Sequence, residues 1–261
     1  MTKFLSITSA KGGVGKTTVS INLGLAISSF GAEVIVVDGN LSTPNLGLYL
    51  GMQKPPLTMH DVVKGKKHIS ETVYSHSSGL KIVPASIAIE ETKNVNFDNL
   101  SKVIFDLYGM AQLVLIDSSA GIGHEAQSAL KSSEETLIVV TPDLAAVADG
   151  LKTLSIAKAL GVKVKGVIVN KFKDDSELSI EAISSLFNLP AFAIPYSNEM
   201  ISAVLKKQPI VFLNPECDVS IAYKQLAAQL LGQEYEYKIK KDTVFSRLFK
   251  KGFSKRVNKI N

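Results

Sequence analysis

Cysteine is nearly absent from this chain: Cys217 is the only one in 261 residues. A lone thiol cannot close an internal disulfide or build a thiolate metal cage within one chain. A reducing cytosol is therefore the expected compartment. Long apolar runs are missing too. None approaches the roughly 20 residues that a membrane-crossing helix requires. No secretory leader is read at the N-terminus, which passes at once into a strand-like pattern. The four histidines, His60, His68, His76 and His124, lack ligand spacing and are read as surface residues. Repeats and low-complexity stretches are absent. Charged residues make up only 20% of the chain and hydrophobic ones 46%, a globular balance. This length supports one large α/β domain with a substantial core.

Acid is scarce near the C-terminal end. From Lys238 onward nine basic residues stand against one acid, Asp242, for a charge of about +8. The chain as a whole carries +5, which leaves the body at about −3. A mildly acidic body with a basic tail points to one targeted anionic contact rather than to general nucleic-acid binding.

The strongest chemical signal is Lys11–Thr18, KGGVGKTT, placed directly after the apolar stretch Phe4–Thr8. Gly12, Gly13 and Gly15 let the backbone around Val14 curl, so that successive N–H groups face a phosphate chain. A helix starting near Lys16 adds its positive N-terminal end. Lys16 is then placed for the β- and γ-phosphates and the Thr17 hydroxyl for Mg²⁺, with Thr18 next in the same turn. The general P-loop has Gly where Ala10 stands here, and Lys11 follows at once.

Apolar runs at Val34–Val37, Leu80–Val83, Leu113–Ile116, Leu137–Val140, Val164–Val169 and Ala191–Ile194 read as buried parallel strands. Between them lie candidate helices at Lys16–Ser29, Asn99–Tyr108, His124–Lys131, Ala145–Leu160, Ser176–Phe187 and Asn198–Lys206. This alternation predicts an α/β fold with P-loop architecture. Its doubly wound, mostly parallel sheet should hold about seven or eight strands, with helices on both faces. Ligands of such sheets gather at the carboxyl ends of the strands, where Asp38, Asp117, Asn170 and Pro195 lie. The main domain is expected over residues 1–233, a linker over 234–242 and a separate basic segment over 243–261.

The octet with its additional Lys11 resembles the deviant Walker A motif of the MinD/ParA ATPases. That resemblance implies ATP and Mg²⁺ as cofactors and a homodimer that sandwiches ATP, with Lys11 crossing onto the partner's nucleotide. The family carries Asp-x-Asp after its second strand; the first carboxylate supports Mg²⁺ and the second helps the attacking water. Asp38 matches, but Asn40 replaces the second. Asparagine can orient a water yet cannot accept its proton at neutral pH. Slow turnover is therefore expected, with Asn40 either positioning the water or leaving hydrolysis to other groups. Asp117, followed by Ser118-Ser119-Ala120-Gly121, resembles the Walker B aspartate, which holds Mg²⁺ through water. Gly121 and Gly123 give that segment freedom to follow a γ-phosphate.

Asn170-Lys171 stands where a base could be read. Guanine selection would need an acceptor at Lys173, which a lysine cannot provide, so adenine is expected on Asn170. Asp149 either pairs with the signature lysine or is an ordinary helical acid. The iron–sulfur carriers, the nitrogenase iron protein and the arsenite pumps, all relatives with several cysteines, fit poorly with a single one.

The segment 243–261 supplies a last signal. At helical spacing Phe245, Leu248, Phe249 and Phe253 fall on one side, and Arg247, Lys250 and Lys251 on the other. A basic amphipathic helix of this kind fits an anionic membrane surface; docking on the body is the alternative. MinD proteins end in such a helix. The expected protein is thus a MinD-like ATPase, cytoplasmic and peripheral on the membrane. It would recruit an unidentified protein partner to place a division, motility or polar complex. A ParA-like DNA-partitioning ATPase and a metabolic P-loop enzyme remain the other readings. Nucleic acid is not the expected partner, because phosphate binding has no use for the phenylalanines.

Overall fold

The computed structural model describes residues 1–52, 54–93 and 95–235. The expected segment 243–261, and the linker beyond residue 235, lie outside the described residues. The chain starts with β1 (Lys3–Ser9), α1 (Lys16–Ser28) and β2 (Val34–Gly39). Short pieces follow: α2 (Leu46–Tyr49), α3 (Met59–Val63), β3 (Tyr74–Ser75), β4 (Lys81–Val83) and α4 (Ile89–Thr92). Regular alternation then resumes with α5 (Asn99–Phe105), β5 (Leu113–Ala120), α6 (His124–Lys131), β6 (Glu135–Val140) and α7 (Leu144–Ala159). It continues through β7 (Lys163–Phe172), α8 (Ile180–Phe187), β8 (Ala191–Pro195) and α9 (Asn198–Leu205). Two further helices, α10 (Ile210–Leu213) and α11 (Asp218–Leu231), complete the described chain.

Among the described residues the strands form one eight-stranded sheet, in the order β3-β4-β2-β5-β1-β6-β7-β8. All pairings are parallel except that of β3 with β4 at the edge. The central strands are apolar on both faces for a physical reason. Leu5, Val36 and Leu115 pack into a core on one side, and Phe4, Ile35, Val37 and Ile116 into a second core on the other. Period-two alternation therefore supplies two apolar faces, each covered by helices. α1 is buried on nearly every side, between the sheet and α11, and its sequence is accordingly apolar all round. At its far end Phe30 meets Tyr235 edge to face, with ring centroids 5.7 Å apart.

Helix limits follow their caps. α8 starts four residues later than the sequence pattern predicts. Ser179 accepts a hydrogen bond from Ala182 N at 3.1 Å and so fixes the N-terminus, while Ser176 closes the preceding turn by accepting from Lys173 N. Asn188 and Gly232 end α8 and α11 in the left-handed conformation. β3 and α11 were not expected. β3 is two residues long, and α11 follows β8 after two short helices rather than another strand.

Gly24 sets how closely α1 approaches the sheet. A Cβ there would lie 2.7 Å from Val36 Cγ2 and 3.3 Å from Leu115 Cδ1, both fully buried. Gly24→Leu should therefore overpack the core and destabilise the fold by about 1–3 kcal/mol, measured as a lower midpoint of urea denaturation.

Candidate functional site

β1 lies between β5 and β6, and the chain leaves its carboxyl end as the glycine-rich turn. Gly13 and Gly15 have φ of 77° and 98°, and α1 begins at the next residue. Gly15 is required twice over. Its conformation is left-handed, and a Cβ would stand 2.3 Å from Asn170 Nδ2. Asn170 itself donates to Val14 O at 2.7 Å, and Lys171 Nζ donates to Gly13 O at 2.9 Å. The end of β7 thus braces the loop from outside. Val14 turns its side chain into the core and presents only backbone to the loop.

Asp38 and Asp117 occupy matched positions on the adjacent strands β2 and β5. Both are buried. Burial, and secondarily the neighbouring Asp117 charge, drives the Asp38 carboxyl well above the usual range. Burial also raises Asp117 to about 6, against the pull of hydrogen bonds from Thr17 and Ser20 and of the Lys16 charge. Lys16 is likewise buried, and desolvation lowers its pKa while Asp117 opposes that shift. Two carboxylates, a hydroxyl and a lysine therefore converge under the turn. The carboxylate and hydroxyl oxygens of this set suit Mg²⁺, which takes few protein ligands and keeps waters and phosphate oxygens.

A cavity of about 490 Å³ opens above this floor. Gly12, Gly13, Gly15, Lys16, Thr17 and Thr18 line it, together with Asn40, Asn170 and Pro195. The sequence-selected groups from four strand ends are thus brought to one place. The apolar wall was not foreseen: Tyr196 and the α9 residues Met200 and Val204 complete it. They lie just beyond Pro195 and read as ordinary amphipathic spacing.

The other selected residues have partners of their own. Lys11 does not line the cavity. Its Nζ lies 2.9 Å from Asp143 Oδ1, both side chains being 38% exposed. Desolvation would raise Asp143, but hydrogen bonds from Thr141, Lys11 and Ala146 N hold its carboxyl down at about 2. Of the two readings of Asp149, the structure fits the ordinary helical acid: it pairs with Lys152 of the same helix at 3.0 Å. Asp143 was legible only as the N-cap of α7, a role it does fill. Asn40 is buried at the cavity edge, but its amide is occupied. Nδ2 donates to Thr43 O at 2.6 Å, and Oδ1 accepts from Thr43 N at 3.0 Å. In this state it holds a turn rather than offering a free carbonyl to water. His60 is not a surface residue. It is fully buried, and desolvation pushes its imidazole pKa down, towards the neutral form. His68 and His124 are exposed and His76 is half-buried.

Comparison with known proteins agrees with this geometry. Residues 5–210 match the model of the CobQ/CobB/MinD/ParA nucleotide binding domain. An uncharacterized ATP-binding protein of Methanocaldococcus jannaschii is 32% identical over 256 residues, covering 97% of either chain. The cell division ATPase MinD of Pyrococcus furiosus superposes with a TM-score of 0.85 at 31% identity, over 89% of this chain and 99% of that one. The septum site-determining protein MinD of Pyrococcus horikoshii, complexed with Mg-ADP, gives 0.84 at 32% identity, over 88% and 96%.

Gly15→Ala places a methyl group against Asn170 in a left-handed backbone. It should weaken binding of a fluorescent ATP analogue by about tenfold or more, read by titration, with the fold retained by circular dichroism.

Proposed function

Because the chain belongs to the CobQ/CobB/MinD/ParA family of nucleotide-binding domains, we propose that it is a MinD-like ATPase that binds Mg-ATP and hydrolyses it slowly. The observation that carries this reading is the convergence of Lys16, Thr17 and Asn170 on one cavity, with Asp38 and Asp117 buried side by side beneath Thr17 and Lys16. The loop and Lys16 hold the phosphates, and Asn170 faces the base. Thr17, Asp38 and Asp117 are the groups that would hold Mg²⁺, which when bound neutralises charge on the phosphates. Lys16, already partly desolvated, needs little further dehydration to meet an anion. Turnover is slow because no second carboxylate follows Asp38 and the Asn40 amide is engaged with Thr43.

Dimerisation belongs to the same reading. Lys11 rests on Asp143 through a half-exposed ion pair, a contact worth only about 0–1 kcal/mol. It can therefore be given up readily when a partner's phosphate offers a stronger anion. Lys16→Ala should abolish nucleotide binding. Lys11→Ala should bind nucleotide like the parent yet stay monomeric in sizing chromatography with a non-hydrolysable ATP analogue. Dimerisation of the Lys11→Ala protein would overturn the crossing role.

The amphipathic pattern of residues 243–261 supports an anionic membrane as the surface on which the protein recruits a partner complex. Each of the six basic residues from Arg247 to Lys259 contributes about 1 kcal/mol near such a surface. Deleting residues 243–261 should abolish flotation with vesicles containing phosphatidylserine and leave ATP binding unchanged. Flotation that survives the deletion would reject the anchor, and co-sedimentation of the intact protein with DNA instead of vesicles would favour a partitioning role.

A further inference from the structure

The loop after β2 is tied at one residue from two sides. Leu41 N and Ser42 N both donate to Glu125 Oε1, at 2.6 and 2.8 Å. Across the same peptide unit, Leu41 O lies 2.9 Å from His60 Nε2. His60 Nδ1 accepts from Ser86 N at 3.0 Å, so the ring proton sits on Nε2 and is donated to Leu41 O. The Leu41 side chain is fully buried in the core under α3 and α5. Asn40, which lines the cavity, is the residue immediately before this clamp.

Glu125 lies in the first turn of α6. That helix starts directly after Gly121-Ile122-Gly123, the stretch that continues from Asp117 on β5. One carboxylate oxygen therefore joins the segments that follow the two aspartates of the cavity floor. Its bonds go to backbone N–H groups, so they fix the course of the loop itself. Gly121, with φ of 99° and open space where a Cβ would stand, turns the chain out of β5 while its N–H donates to Ser9 O at 3.2 Å. Glu125 and His60 are not among the residues lining the cavity, and neither is placed to touch nucleotide.

We infer that Glu125 is a positioning residue for hydrolysis, a strut that keeps the Asn40 loop in step with the segment behind Asp117. The inference rests on the ATPase reading. Movement of the segment after Asp117 is carried through Glu125 to Leu41 and so to Asn40. His60 acts as the fixed point on the opposite side. A glutamine at position 125 keeps an oxygen that can accept both N–H bonds, whereas an alanine keeps none.

The test compares Glu125→Ala, Glu125→Gln and the parent protein. Three quantities are measured: affinity for a fluorescent ATP analogue, steady-state kcat and KM, and amide hydrogen exchange over residues 38–46 with and without Mg-ATP. Glu125→Ala should lower kcat by about tenfold to a hundredfold with KM and nucleotide affinity nearly unchanged. Its Leu41 and Ser42 amides should exchange fast and no longer respond to Mg-ATP. Glu125→Gln should recover most of the rate and the protection. Equal loss in both variants, an unchanged kcat in Glu125→Ala, or a parallel fall of affinity and kcat would overturn the inference. If the parent binds ATP but never turns it over, the ATPase reading fails separately, and the exchange comparison still decides whether Glu125 links the segments.

Discussion

Asp38 and Asp117 sit side by side on neighbouring parallel strands, both buried, with one lysine above them. Withdrawing like charges from water at this spacing is costly, and the neighbouring structure reads as the means of making it tolerable. Asp38 requires donors, so the chain after β2 curls back and offers the N–H groups of Asn40 and Leu46, at 3.1 Å each. Asp117 takes hydroxyl donors from Thr17 and Ser20, which fixes the rotation of α1 about its axis. Gly24 then lets that helix lie close enough to the sheet for those hydroxyls to reach. A small, doubly charged cation with oxygen ligands removes the remaining repulsion.

Much of the architecture was legible in the sequence because buried parallel strands announce themselves. Val34–Val37 and Leu137–Val140 are uninterrupted apolar runs; Thr141-Pro142 ends the second, while the first continues through buried Asp38 and Gly39 to the end of β2. Turn chemistry marked the loop equally well, since Gly13 and Gly15 occupy backbone conformations that other residues resist. Less legible were pieces whose existence depends on partners. β3 is a strand only because β4 is beside it, with Tyr74 opposite Ile82. The late start of α8 followed from which of two serines caps the helix, a choice that spacing does not make.

The site divided along the same line. Lys16, Thr17, Asp38, Asp117 and Asn170 could be found because their positions at strand ends are set by local pattern. Glu125, Asp143 and His60 could not, since their roles come from contacts 84, 132 and 19 residues away in the chain. His60 is the sharpest instance. A histidine without ligand spacing is commonly a surface residue, but this one is enclosed by two backbone groups that satisfy both ring nitrogens. Asn40 was located correctly and its engagement was not foreseen, because its partner Thr43 lies in an irregular turn with no periodic signature.

The contact between Phe30 and Tyr235 has a consequence for how such a molecule can signal. α1 starts at the glycine-rich turn and runs for 13 residues, about 20 Å. Tyr235 packs against Phe30 at its far end, a helix length away from the glycine-rich turn. A stiff helix, buried on nearly every side, separates the glycine-rich turn from Tyr235. Such a helix resists bending, so a displacement at the glycine-rich turn would reach Phe30 and Tyr235 as a movement of the whole rod.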